Sequence, residues 1–149
     1  NYFQFLSSHD AGIGFAAVLG KSQCLGEIYN IVHPQPRPWD EWHRAAAEAL
    51  GVDAEIVHIS QDTLIAISGE RFGGLSGNFG HTQIYSGAKF AKDVPDFQPR
   101  TPLVESLAEN IAWMEEHGHV GDSDADNLED QIIKAVLDLP ARLEGQHKS

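Results

Sequence analysis

Short runs of β-forming residues alternate along this chain with longer stretches whose apolar residues have helical spacing. Four of the short runs predict strands, at 3–7, 27–32, 54–59 and 81–86. Because strands and helices alternate in this order, the pattern indicates an α/β or α+β fold with a few short strands and several helices.

The predicted helices begin and end at residues with known capping preferences. Asp10 is predicted to be the N-cap of a helix that ends at Gly20. A second helix has Trp39 and Trp42 on its apolar face and stops at Gly51. Ser60 is expected to cap a third, short helix.

The most regular helical pattern begins at Thr101 and Pro102, which suit the N-cap and the first helical position. Its apolar residues recur every three to four positions and predict a stripe that faces the core: Leu103, Leu107, Ile111 and Met114. A last helix follows and is expected to end at Pro140, because proline opposes helix continuation.

These elements predict three parts of the chain. Residues 1–116 form the main portion, 117–126 an acidic linker, and 127–149 a terminal helix with a frayed tail. Since strand-like residues start at once, without a basic leader segment, we expect the chain to be a fragment of a longer polypeptide.

Composition narrows the classes of partner. The formal net charge is −12, from 22 acidic and 10 basic residues, and the basic residues are scattered. This argues against nucleic acid and anionic membranes, which bind clustered Lys and Arg. No apolar run is long enough to span a bilayer. The single cysteine, Cys24, favours a reducing, cytoplasmic setting.

The pentapeptide from Tyr85 to Lys89 matches Tyr-x-x-x-Lys, the catalytic pair of short-chain dehydrogenases. That chemistry requires both side chains on one helical face, so that the lysine lowers the pKa of the tyrosine. Gly87 lies inside the pentapeptide and Ile84 precedes it in a strand-like run, which opposes a helix here. We therefore assign neither catalytic nor cofactor-binding residues to this chain.

The glycine-rich stretch 69–80 predicts a mobile loop. In and beside it, Arg71 and His81 are the side chains suited to grip an anion or a hydroxylated substrate, and we predict them as substrate-binding residues. No metal site is predicted. The His117-Gly118-His119 motif lacks further rigid ligands, and the acidic run after it lacks the glycine and glutamate of an EF-hand.

Taken in order, several segments resemble the C-terminal, substrate-binding part of the extended short-chain dehydrogenase/reductase family, the NAD(P)-dependent epimerases and dehydratases. Asp10 matches the family's Phe-Ile-His-Val-Asp-Asp-Val-Ala element. The other matching segments are Gly26-Glu27-Ile28-Tyr29-Asn30-Ile31, Ala47-Glu48-Ala49-Leu50-Gly51, Ala88-Lys89, Pro99-Arg100-Thr101-Pro102 and Trp113.

The resemblance implies the C-terminal portion of a Rossmann-type enzyme, incomplete without its N-terminal nucleotide-binding part. NAD or NADP would bind in that missing part, together with the catalytic Tyr/Lys pair, and this fragment alone would bind no cofactor. The implied partners are a small hydroxylated, sugar-like substrate and the N-terminal part itself; a homo-oligomer stays open.

Two departures from the family bear on the substrate. Many enzymes for nucleotide sugars carry an arginine just before the first matching strand, where this chain has Phe3 and Gln4, and Ser7 replaces the histidine. A non-catalytic binding or regulatory module derived from the same fold is the alternative function.

Overall fold

The computed structural model describes residues 1–146 and is mostly helical. It forms two compact units, Asn1–Ile111 and the segment from Ala112 onward. The α-helices are α1 (Ser8–Ala17), α2 (Trp39–Leu50), α3 (Gln61–Ile67), α4 (Gly69–Phe72), α5 (Ala88–Asp93), α6 (Leu103–Glu116) and α7 (Leu128–Gln146). The predicted boundaries at 116 and 126 stay predictions.

The sheet of the described chain has two short antiparallel strands, β1 (Tyr2–Phe3) and β2 (Arg37–Pro38). Tyr2 pairs with Pro38 and Phe3 with Arg37. The pairing places the start of the chain beside the first residue of α2, Trp39, whose N–H also donates to Asn1 O. Helices with a small sheet agree with the coarse α/β prediction.

Most of the predicted strands do not form in the described residues. The first is reduced to β1, and the runs at 27–32, 54–59 and 81–86 are irregular and lie in no sheet. A strand requires a ladder of backbone hydrogen bonds with a neighbour. The segment 81–86 has one backbone hydrogen bond to β1, from Gln83 N to Tyr2 O. Its further hydrogen bonds to residues 1–4 each involve a side chain.

The role predicted for Asp10 is wrong. Helix α1 begins at Ser8, and Ser7 is its N-cap, with its hydroxyl accepting a hydrogen bond from His9 N at 3.2 Å. Asp10 lies inside the first turn and is buried. Helix α1 ends at Ala17, earlier than the predicted end at Gly20, and Gly20 itself, with a φ of +73°, is a left-handed turn residue, a conformation that glycine adopts without strain.

Local capping signals at the other early helices are confirmed. Gly51 follows α2 with a φ of +69°, and Val52 N donates to Ala47 O in a Schellman-type ending. Ser60 caps α3 by accepting a hydrogen bond from Thr63 N. These ends depend on neighbouring residues alone, which is why the sequence predicts them.

The best-buried part of the first unit is a cluster on and after α5, formed by Phe90, Val94 and Phe97. The rings of Phe90 and Phe97 meet edge-on, 5.2 Å apart between centroids. Gly14 of α1 packs on the Phe97 ring, where an added Cβ would lie 3.4 Å from it. This cluster therefore fixes α1 against the segment that leads into α6.

The apolar stripe predicted for α6 is only partly buried. Leu103, Leu107 and Ile111 are half-buried, and Met114 is exposed. The helix ends at a second Schellman-type turn, in which Gly118 has a φ of +68° and His119 N donates to Met114 O.

The predicted end of the last helix is wrong as well. Helix α7 continues through Pro140 to Gln146. A proline removes one backbone hydrogen bond, but the remaining bonds of the helix can hold the chain in register across it. Residues 147–149, at the end of the predicted frayed tail, lie outside the described residues.

Candidate functional site

The two predicted substrate-binding residues lie on an exposed part of the first unit. Arg71 is in α4, and its backbone N–H is capped by the hydroxyl of Ser68. His81 follows the glycine-rich stretch, and both side chains are exposed. Neither lines the cavities of about 500, 430 and 370 Å³ that the described residues form. Their predicted role in substrate binding stays a prediction.

Tyr85 and Lys89 do not form a pair of the dehydrogenase kind. Tyr85 is in the irregular segment 81–86, and its hydroxyl is hydrogen-bonded to Gln83 Oε1 at 3.2 Å. Lys89 is in α5, and its ammonium group donates to the Glu27 carboxylate and to Ile28 O. Since Lys89 is engaged elsewhere, it is not available to lower the pKa of Tyr85.

A second tyrosine lies nearer to Lys89, but its chemistry is unsuited to a general base. The ammonium nitrogen of Lys89 is 5.0 Å from the ring centroid of Tyr29. A hydrogen bond with the Cys24 side chain, burial and the hydrogen bond to Asp93 raise the pKa of the Tyr29 hydroxyl above its ordinary value. A catalytic tyrosine needs a lowered pKa, so Tyr29 is a structural hydrogen-bond donor.

Replacing Tyr85 with phenylalanine is expected to leave any activity in which this chain takes part within a few-fold of normal. The change removes one exposed hydrogen bond to Gln83. A catalytic tyrosine would instead give a loss of about 10²–10⁴ in rate. Steady-state kinetics measure the difference, and a thousand-fold fall in kcat would contradict a purely structural role for Tyr85.

Asp10 links α1 to the start of α6. Its carboxylate accepts hydrogen bonds from Arg100 N at 3.2 Å and from Thr101 N at 3.0 Å, and its side chain is 2% exposed. Burial raises the pKa of Asp10, but the hydrogen bonds from Thr101 and Arg100 and the nearby His9 outweigh it and lower that pKa overall. The carboxylate is thus a charged structural bridge.

Gln4 too has a structural role. Its amide nitrogen donates to His33 O at 2.9 Å, and its amide oxygen accepts from Tyr85 N. The Gln4 side chain therefore holds the proline-rich loop 33–38 and the segment 81–86 to the start of the chain.

The cavity that we name the aromatic cavity lies wholly within the first unit and has a volume of about 500 Å³. Phe5, Trp39 and Trp42 form its aromatic wall, with the rings of Phe5 and Trp42 3.9 Å apart between centroids. The first turn of α6 contributes Leu103 and Ser106. Its volume suits a small molecule, since ligand pockets span about 300–1,000 Å³.

Sequence reasoning assigned Trp39 and Trp42 to packing, and the structure shows that they also line this cavity. The signal was weak. The two tryptophans lie three residues apart at the start of a helix, after the proline-rich loop. Such a pair is as typical of a helix that packs on a core as of one that lines a ligand cavity. The second wall, which begins at Pro99, is some sixty residues further along the chain, so no local pattern reveals the enclosure.

The second unit contains a stack of three rings at the His117-Gly118-His119 motif. Trp113 is stacked with His117 at 4.3 Å and with His119 at 5.2 Å between centroids. His117 Nδ1 also lies 2.8 Å from Trp113 O. Over residues 1–146, no three His, Cys, Asp or Glu side chains are grouped so as to hold a metal ion.

Comparison with protein-family models, with curated proteins and with solved structures finds no match for this chain. None of the helices within residues 1–146 combines the length and the apolar character needed to cross a bilayer.

Proposed function

We propose that this chain is the substrate-binding, C-terminal part of an NAD(P)-dependent epimerase or dehydratase of the extended short-chain dehydrogenase/reductase family. The observation that supports this most is that segments resembling the family contact one another. Asp10 is hydrogen-bonded to Arg100 and Thr101, and Glu27 is paired with Lys89.

These contacts join residues that are far apart in sequence. Asp10 and Thr101 are separated by 91 positions, and Glu27 and Lys89 by 62. If each segment resembled the family by chance, there would be no reason to expect these segments to contact one another. Motifs that belong to one fold are expected to do so, because each motif then fixes the position of another.

In this proposal the chemistry is divided between two parts of a longer polypeptide. The N-terminal part would bind NAD or NADP, which takes and returns a hydride at a substrate carbinol, and would supply the Tyr/Lys pair. The present chain would hold and orient a small hydroxylated substrate, with His81 and Arg71 as its candidate contacts. A cytoplasmic location, suggested by the single cysteine, belongs to the same proposal.

The 149-residue chain alone is expected to bind no NADH, whereas the longer polypeptide encoded by its gene is expected to bind NADH saturably. The glycines at 73, 74, 77 and 80 do not spell Gly-x-Gly-x-x-Gly between a strand and a helix, so no loop among the described residues is placed to receive the pyrophosphate, and Tyr85 and Lys89 are separately engaged. Titration followed by NADH fluorescence compares the two proteins under the same conditions.

Saturable micromolar binding by the isolated chain would overturn the division of roles. Failure of the longer polypeptide to bind either NADH or NADPH would overturn the family assignment and favour the non-catalytic module. One observation supports that alternative directly: the aromatic cavity is assembled from residues of the first unit alone.

A further inference from the structure

The aromatic cavity has an electrostatic character opposite to that of the chain as a whole. The chain has 22 acidic and 10 basic residues, yet the charged side chains that line the cavity are Arg37 and Arg100, with no Asp or Glu among the lining residues. In a protein with a large excess of acidic groups, a cavity lined by basic side chains attracts a negatively charged ligand.

The acidic residues nearest in sequence lie outside the cavity lining, although one of them, Glu41, is paired with the lining residue Arg37. Glu41 is bound to Arg37 at 2.9 Å and does not line the cavity. Asp40 lies within 4 Å of both His58 and Arg44, and the hydrogen bond with His58 lowers the pKa of Asp40. A guanidinium has five N–H donors, so Arg37 keeps donors beyond those that reach Glu41 and Gln35.

The aromatic wall contains a hydrogen-bond donor that the protein does not satisfy. Trp42 lines the cavity, and its indole Nε1 is buried with no hydrogen-bond partner among the described residues. Buried donors are nearly always paired, because an unpaired one costs free energy that an acceptor recovers. An acceptor atom on a bound molecule would supply that partner once it displaces the atoms that now cover the indole nitrogen.

His33 adds an imidazole ring to the lining. Its Nδ1 lies 3.2 Å from Gln35 N and 3.4 Å from Gln35 O, and Nε2 is a donor in the tautomer in which Nδ1 accepts from Gln35 N. The cavity thus combines a wall of aromatic rings with cationic and neutral donors. This is the combination expected for a ligand with a flat apolar body and an anionic acceptor group.

We propose that the aromatic cavity binds a small ring-bearing carboxylate. The ring would pack against Phe5, Trp39 and Trp42. The carboxylate would accept hydrogen bonds from Arg37 and Arg100, and an acceptor atom would satisfy Trp42 Nε1. The site does not depend on the proposed enzyme, because every residue that forms it is in this chain.

The test uses 2-naphthoate as the probe, and isothermal titration calorimetry of the 149-residue chain in a buffer where it shows a cooperative unfolding transition. Saturable binding is expected. Because a hydrogen bond to a charged group contributes enough for about a tenfold change in affinity, Arg37→Gln and Arg100→Gln should each weaken binding roughly tenfold or more. Trp42→Phe keeps a ring but removes the donor, and should weaken it about two- to tenfold.

The matched control is Arg44→Gln, which removes the same charge from α2 at an exposed side chain outside the cavity. It should leave the affinity for naphthoate within about twofold, as expected of an exposed charge that does not contact the ligand. Two further ligands separate the ring from the charge: 2-naphthalenemethanol has the ring alone, and inorganic phosphate has the charge alone. Both should bind at least about tenfold more weakly than naphthoate.

The proposal is overturned if folded chain shows no saturable naphthoate binding, or if the alcohol or phosphate binds as well as naphthoate. It is also overturned if Arg44→Gln weakens binding as much as the two cavity variants do. These outcomes are independent of NADH binding, so the ligand site and the proposed enzyme succeed or fail separately.

Discussion

Replacing Asp10 with alanine is expected to lower the free energy of unfolding by about 3 kcal/mol or more. The carboxylate accepts hydrogen bonds from two backbone N–H groups, and bonds of this charged kind contribute about 1.5–3 kcal/mol each. Its removal leaves both donors without their acceptor and frees α1 from the start of α6. Urea denaturation of the chain measures the change.

Asp96→Ala is the matched control, since Asp96 is an exposed aspartate of the same unit. It should change the free energy of unfolding by less than about 0.5 kcal/mol, as surface substitutions do. If the two variants lose equal and small amounts, the Asp10 bridge does not stabilise the fold, and the main support for the family proposal is lost with it.

The bridge also predicts how stability depends on pH. The pKa of Asp10 in the folded chain lies below its ordinary value, so the carboxylate stabilises the fold fully above the unfolded-state pKa. That contribution is lost as the pH falls through the folded-state pKa. In Asp10→Ala the acid side of the stability profile should therefore be flatter than in the parent chain, and an unchanged slope would contradict the assignment.

Replacing Phe90 with alanine is expected to lower the free energy of unfolding by about 3–5 kcal/mol, the usual cost of truncating a buried phenylalanine. The side chain is 3% exposed and contacts the rings of Tyr29 and Phe97 edge-on. Its loss leaves a cavity at the centre of the best-buried cluster. Typical domains have about 5–15 kcal/mol of stability, so this single change removes a large share.

Phe15→Ala provides a control that deletes the same atoms from an exposed position, since Phe15 of α1 is 66% exposed. Denaturation of both variants side by side should show a loss of under about 1 kcal/mol for Phe15. Comparable losses at the two positions would mean that Phe90 is not at the centre of the core.

The sequence by itself determined the features that depend on neighbouring residues. Ser60 satisfies an N–H group three residues away, and Gly51 adopts a left-handed conformation that closes α2, so both helix ends follow from local chemistry. The same holds for the separation of Tyr85 from a catalytic helix, because Gly87 and the strand-like residues before it oppose one.

Strands and long-range polar contacts depend on which distant segment lies beside them, and local sequence patterns do not specify that segment. The run at 27–32 has the composition of a strand but has no ladder partner in the described chain. Asp10 has the local signature of an N-cap, yet Ser7 caps α1 and the Asp10 carboxylate meets backbone N–H groups ninety positions away.

The candidate site was likewise decided by the tertiary structure. Arg71 and His81 were recognisable as polar residues in a glycine-rich stretch, but the fold leaves both exposed. The aromatic cavity joins Trp42, Arg37 and Arg100 from segments that no sequence spacing connects. A cavity arises from the shapes of several packed elements together, so its lining and its unpaired indole N–H become visible only when those elements are in place.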